Sequence, residues 1–240
     1  MNAILASSSE IYNSDYLVYL LPELEELYKN AKEILFIPFA RPGGQSHDQY
    51  TEKARRGLHP LGKTVIGIHQ TPDYKTAIKT ADAIFVGGGN TFLLVSKLYE
   101  YDLIKVLRNT IRYGTPYLGT SAGSNICGLT MQTTNDMPII LPKSFKTMGI
   151  VPFNFNVHYQ DPDPNSHHRG ETRETRIIEF QNLNNIDVIG LREGSWLKVT
   201  KEDVVLQGDL QARIFLCKKP PFEVDPNTSL SDLHQVAVRA

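Results

Sequence analysis

The sequence predicts an α/β domain: a mainly parallel sheet with helices on both faces, joined by a few antiparallel strands in the C-terminal part. Three observations carry this. Short apolar runs alternate with helical-period segments through the first half of the chain. Those runs are continuously apolar, as strands covered on both faces must be. Turns rich in glycine and small residues then follow two of them, Gly87-Gly88-Gly89 and Gly119-Thr120-Ser121-Ala122-Gly123. Right-handed crossovers gather such turns on one sheet edge.

Each element has its own signal. Ala3-Ile4-Leu5-Ala6 reads as a buried strand ending in Ser7-Ser8-Ser9. Leu17, Leu20, Leu21, Leu24 and Leu27 recur at helical spacing from Tyr16 to Tyr28, where Pro22 bends the helix or marks a new start. Ile34 to Phe39 is the second strand, and a polar helix from about His47 to Leu58 follows the Arg41-Pro42-Gly43-Gly44 loop. Thr64 to Ile68 is a strand, Asp73 to Thr80 a short helix, and Asp82 to Val86 a fourth strand. Helices start near Thr91 and Leu103, and Pro116-Tyr117-Leu118 leads into the small-residue turn at Ser121.

The second half is less regular. Met131 to Pro142 is loop-like, Asn154 to His158 reads as a strand, and Asp161 to Gly170 as a polar loop. Thr172 to Asn182 is a helix and Asp187 to Leu191 a strand, with short antiparallel strands at 196–199, 204–206 and 214–216. Residues 1–217 are therefore expected to form one domain, and 218–240 a loose, proline-bearing tail.

Composition narrows the function classes. A net charge of −1 gives no electrostatic case for nucleic acid or an anionic membrane surface. No apolar run approaches the length of a membrane span. Met1 to Ser9 has neither a basic stretch nor a long apolar one, so it reads as mature chain. Cys127 and Cys217 lie in apolar contexts, which suits reduced, buried thiols and a cytoplasmic location.

The stretch from Gly114 to Cys127 contains a full G-x-S-x-G between strand and helix signals. Such a turn lifts a serine out of the sheet and leaves the next N–H, that of Ala122, free at a helix N-terminus. A Gly-rich turn with a bystander serine is the alternative. A hydroxyl nucleophile needs a base, and the base an orienting group. His47, His59 and His69 precede the turn, and His167, His168 and His234 lie in polar loop or tail. His158 alone ends an alternating segment, Phe153 to Val157. Two acids are candidate partners: Glu193, at a strand end before Gly194, and Asp136, in the Thr133-Thr134-Asn135-Asp136-Met137-Pro138 loop. Gly87-Gly88-Gly89 offers a second oxyanion donor, or else a phosphate-binding nest.

Gly87 to Phe92, Ser121-Ala122-Gly123, Thr133 to Pro138, the His158 segment, Gly170-Glu171-Thr172-Arg173 and Leu191-Arg192-Glu193-Gly194 together resemble the peptidase E family of α-aspartyl dipeptidases, in order and at similar spacing, to about residue 216. The resemblance implies a flavodoxin-like scaffold similar to class I glutamine amidotransferases, with no metal and no cofactor. It implies a serine dipeptidase that acts on small peptides beginning with aspartate, as a monomer or homodimer. By the family pattern Ser121 is the nucleophile and His158 the base, and the third member corresponds to Glu193 or Asp136. Glu193 is favoured, since a strand-end acid is held more firmly than one in a long loop. Asp136 would then shape the site or bind the substrate ammonium. Gly88, Gly89 and Ala122 would form the oxyanion hole, with Arg173, Asn90 and Asn135 binding substrate. A fixed cation is needed to pair the aspartyl carboxylate, and Arg173 is the first choice over Arg192 and Arg41. Thr120 before the serine and Arg192 before Glu193 depart from the family pattern.

Three other readings compete. A cyanophycinase-like peptidase would cut at aspartyl groups on a polymer. A nucleotide-binding module would use Gly87 to Asn90 for phosphate, but it leaves the Ser-His-acid set unexplained and lacks a P-loop lysine. An amidotransferase would want cysteine where Ser121 stands.

Overall fold

The computed structural model describes every residue except Pro164, Ser166, His168, Asp232 and 234–240, so His168 and His234 lie outside the described residues. In chain order the elements are β1 (Ala3–Ala6), α1 (Leu21–Leu27), β2 (Glu33–Ile37), α2 (His47–Leu58), β3 (Thr64–Gly67), α3 (Tyr74–Thr80), β4 (Ala83–Val86), α4 (Thr91–Glu100), α5 (Ile104–Arg112), β5 (Tyr117–Thr120) and α6 (Ala122–Asn125). Then follow β6 (Asn154–Val157), α7 (Arg173–Leu183), β7 (Val188–Leu191), β8 (Trp196–Val199), β9 (Val204–Gln207), β10 (Ala212–Phe215) and β11 (Phe222–Val224).

The strands form a seven-stranded sheet in the order β3-β2-β4-β5-β1-β8-β9 and a four-stranded one in the order β11-β10-β7-β6. β3, β2, β4, β5 and β1 run parallel. β8 joins that sheet antiparallel to β1, and β9 pairs antiparallel with β8. In the smaller sheet β6 and β7 are parallel, whereas β10 and β11 are antiparallel additions.

Strand period 2 explains the layering. Ala3, Leu5, Leu35, Ile37, Ile84 and Val86 point to one face, where α3, α4, α5 and the smaller sheet's Phe155, Ile189 and Ile214 meet them. Ile4, Ala6, Ile34, Phe36, Ala83 and Phe85 point to the other, under Leu24 and Leu27 of α1 and Tyr50, Ala54 and Leu58 of α2. Ile177 of α7 packs with Val188 and Phe215 on the outer face of the smaller sheet. Among the described residues no helix is long and apolar enough to cross a membrane.

One expectation changes and two take a definite form. The helix expected over Tyr16 to Tyr28 is a 3₁₀ turn at Val18–Leu20 followed by α1, with Pro22 in its first turn, where a missing N–H costs no hydrogen bond. The antiparallel strands expected in the C-terminal part form, divided between the two sheets. The segment after Lys218 is not loose up to Ser231: β11 pairs with β10, Leu230 is buried, and Ser229 and Ser231 donate to Asp203. The three residues of β11, between Pro220-Pro221 and Pro226, are too short a pattern to read as a strand.

Candidate active site

The C-terminal ends of β1, β4, β5, β6 and β7 meet at one edge. β5 ends in the small-residue turn, and Ser121 adopts φ 52° and ψ −112°, a conformation that strains any L residue. Small neighbours make the turn possible. A Cβ on Gly123 would collide with the Val86 carbonyl of β4, so only glycine lets α6 start this close to the sheet. The Ser121 N–H donates to the Ala6 carbonyl at 3.1 Å. Ala122 opens α6, where an N–H has no intrahelical acceptor.

β6 delivers His158 directly after Val157, at a φ of 53°. Its Nε2 lies 2.9 Å from Ser121 Oγ, and its Nδ1 lies 2.6 Å from Glu193 Oε1. A carboxylate only accepts, so Nδ1 carries the proton and Nε2 is left to accept from the serine hydroxyl. Glu193 follows β7 and precedes Gly194, whose φ of 86° turns the chain into β8. Glu193 also acts on its surroundings: Tyr19 is pushed up to about 12, chiefly by burial and further by the Glu193 charge.

Asp136 lies elsewhere. Its Oδ2 accepts the Thr91 N–H at 2.7 Å and the Thr134 hydroxyl at 2.9 Å, which puts it on the N-terminus of α4. Anions are stabilised there. Asn90 caps the same helix, accepting from the Leu93 N–H at 3.0 Å and donating to the Met137 carbonyl at 2.8 Å. The Asn-Asp-Met-Pro motif is thereby tied to the Gly-rich loop. Asn135 donates to the Val157 carbonyl at 2.7 Å and accepts from Asn156 at 2.8 Å, bracing β6 just before His158.

The Gly-rich loop lies beside the serine. A Cβ on Gly88 would come within 2.9 Å of Ser121 Cβ, so the Gly88 backbone is in contact distance of the hydroxyl. Buried Tyr50 donates to the Gly88 carbonyl at 3.0 Å. Gly89 packs against the Ala40 backbone.

The three candidate arginines differ in their commitments. Arg192 is bound by Asp161 at 2.8 Å and Glu223 at 2.9 Å and covers the Tyr159 ring. The Arg41 guanidinium stacks 4.6 Å from the Tyr50 ring centre. Arg173, the first residue of α7, has no carboxylate in salt-bridge range among the described residues. It lines a cleft of about 370 Å³ with Gln160, Asp161, Glu171 and Arg176, starting two residues after His158. Burial, then neighbouring Arg176, lowers its proton affinity, while Asp136 opposes them. Such a half-buried, uncompensated guanidinium is suited to bind an anion.

Sequence reasoning missed Tyr50 and Ser7. Ser7 Oγ receives the His158 N–H at 2.8 Å. The only available signal was its place at the end of β1, on the edge that carries the site. Cys127, six residues past the serine, is fully buried, and burial raises its thiol far above the ordinary range, so it is no rival nucleophile.

A model of peptidase family S51 matches residues 3–207. The probable alpha-aspartyl dipeptidase of Drosophila melanogaster is 43% identical over 237 residues, covering 98% of each chain. Peptidase E of Streptomyces coelicolor is 43% identical over 236 residues, covering 98% of this chain and 96% of its own. Among solved structures, a peptidase from an acI-B1 Actinobacterium superposes with a TM-score of 0.69 over 95% of each chain at 18% identity, a likeness of fold.

Proposed function

The chain belongs to peptidase family S51, and from that premise we propose that it is a serine dipeptidase hydrolysing dipeptides that begin with aspartate. One observation carries the proposal: the unbroken relay from Ser121 Oγ through His158 to Glu193, at 2.9 and 2.6 Å.

In the proposed reaction Ser121 Oγ attacks the aspartyl carbonyl while its proton passes to His158 Nε2. The imidazolium is stabilised by Glu193. The negative oxygen rests on the N–H groups of Ala122 and of Gly88 or Gly89, and each such donor is typically worth about 10²- to 10³-fold in rate. The C–N bond then breaks, the leaving amine takes the proton from His158, and an acyl-enzyme remains. Water attacks it, giving a proton to His158; the bond from the acyl carbon to Ser121 Oγ breaks, Oγ takes the proton back from His158, and aspartate is released. Arg173 pairs with the aspartyl side chain, supported by the absence of a salt bridge to it among the described residues and by a position close enough to Asp136 to feel its charge. Asp136 shapes the site by holding α4 and its preceding loop.

The test is hydrolysis of Asp-Leu beside Glu-Leu, Leu-Leu and N-acetyl-Asp-Leu, by wild type and Ser121→Ala. Turnover of Asp-Leu alone, reduced roughly 10⁶-fold in the variant, is expected. A well-folded wild type that cleaves none of the four would refute the proposal.

A further inference from the structure

Two consecutive residues at the end of β1 touch all three chain segments of the relay. The Ala6 carbonyl accepts from the Ser121 N–H at 3.1 Å and from Ser124 Oγ at 2.7 Å. The Ser7 N–H donates to the Ser195 carbonyl at 3.0 Å, two residues beyond Glu193. Ser7 Oγ donates to the Leu191 carbonyl at 2.7 Å, two residues before Glu193, and accepts from the His158 N–H at 2.8 Å. Ser7 is fully buried, so no solvent competes for that hydroxyl.

We infer that Ser7 is a positioning residue that sets His158 against Ser121 and Glu193; the inference rests on the serine-peptidase reading above. Backbone bonds at Ala6 and Ser7 are available to any residue. The bonds to the Leu191 carbonyl and from the His158 N–H require a hydroxyl, one atom that donates to β7 and accepts from the end of β6. Without it, Leu191 still receives the Tyr159 N–H at 3.1 Å. The His158 N–H loses its acceptor instead. His158 is also the residue held at φ 53°, a backbone state that persists only where its surroundings over-determine it. Loss of the Ser7 hydroxyl therefore falls on the base, not on the fold as a whole.

The test compares wild type, Ser7→Ala and Ser7→Cys, with folding checked by thermal melts. Ser7→Ala is expected to lower kcat for Asp-Leu roughly 10- to 100-fold, because displacing a catalytic group by about 1 Å can cost on the order of 10² in rate. KM is expected to stay within about twofold, since Ser7 meets no substrate. Ser7→Cys, with its weaker donor, falls between. In proton NMR a downfield signal of the His158 Nδ1 proton is expected in wild type, and it is expected to broaden in Ser7→Ala. Labelling of Ser121 by phenylmethylsulfonyl fluoride, which needs no dipeptide, is expected to slow in step with kcat. Unchanged kcat and labelling, or a loss carried wholly by KM or by a smaller folded fraction, would overturn the inference. A wild type that labels but cleaves no aspartyl dipeptide would refute the substrate reading alone, and the labelling rates would still decide the role of Ser7.

Discussion

Arg173→Met tests the origin of aspartate selectivity. The side chain keeps its length and apolar stem but loses its charge. A carboxylate about 4 Å from the guanidinium gains about 4 kcal/mol of Coulomb energy at an effective dielectric of 20. Arg173 is half-buried in an open cleft, so screening and the desolvation of both ions remove a large part of that. About 2 kcal/mol remains, roughly a 30-fold effect on kcat/KM. The assay is kcat/KM for Asp-Leu and for Asn-Leu, its uncharged isostere, in wild type and variant. The Asp-to-Asn ratio is expected to be about 30 or more in wild type and to approach 1 in Arg173→Met. Arg173→Lys retains part of it, because an ammonium supplies charge without the two-pronged geometry. A ratio that survives Arg173→Met would refute the assignment, and Arg176, which lines the same cleft, would become the next candidate.

Glu193→Gln and Asp136→Asn separate the two acids. Glu193→Gln is expected to lower kcat about 10²- to 10³-fold with little change in KM, less than for a fully buried triad acid because its side chain is 54% exposed. Asp136→Asn weakens a helix-terminal charge and is expected to cost about 1 kcal/mol of stability, read as a melting point lower by about 2–4 °C, with a smaller loss of kcat. The reverse order of kcat losses would make Asp136 the orienting acid. Gly88→Ala puts a Cβ 2.9 Å from Ser121 Cβ, so the loop or the serine must shift, and it is expected to lower kcat about 10²-fold or more and to lower the melting point as well. An active Gly88→Ala enzyme would place the oxyanion elsewhere.

What was legible in the sequence had local causes. β2, β4, α2 and α4 show continuous apolar runs, helical spacing and capping residues within a dozen positions, and they form close to where those signals put them. Ser121, His158 and Glu193 could be singled out because each lies just past an apolar strand, and parallel strands bring such ends together. Choosing between Glu193 and Asp136 was not a local matter. Both are acids in turns, and their positions depend on how β7 and α4 meet β6 in space. Ser7 was unreadable for the same reason, as its bond to His158 spans 151 positions. β11 failed for another reason: its stability comes from pairing with β10, while its own three residues carry little pattern.

β11 also explains a feature that the motifs leave unassigned, the arginine before Glu193. Glu193 bonds His158, whereas Arg192 reaches other partners. It meets Asp161, three residues beyond His158, and Glu223 of β11, with a further bond to the Gln211 carbonyl. Isolated surface ion pairs contribute little. Here, however, the Arg192 side chain is only 16% exposed and its planar fork is shared by two carboxylates. Those hydrogen bonds hold the arginine in its charged form more firmly than usual. Arg192 thus ties the chain leaving β6 to the chain leaving β7, and β11 supplies one of the two carboxylates. Glu193, the acid bonded to His158, follows directly on a residue anchored by β11, and the C-terminal strand reaches the candidate site through Arg192.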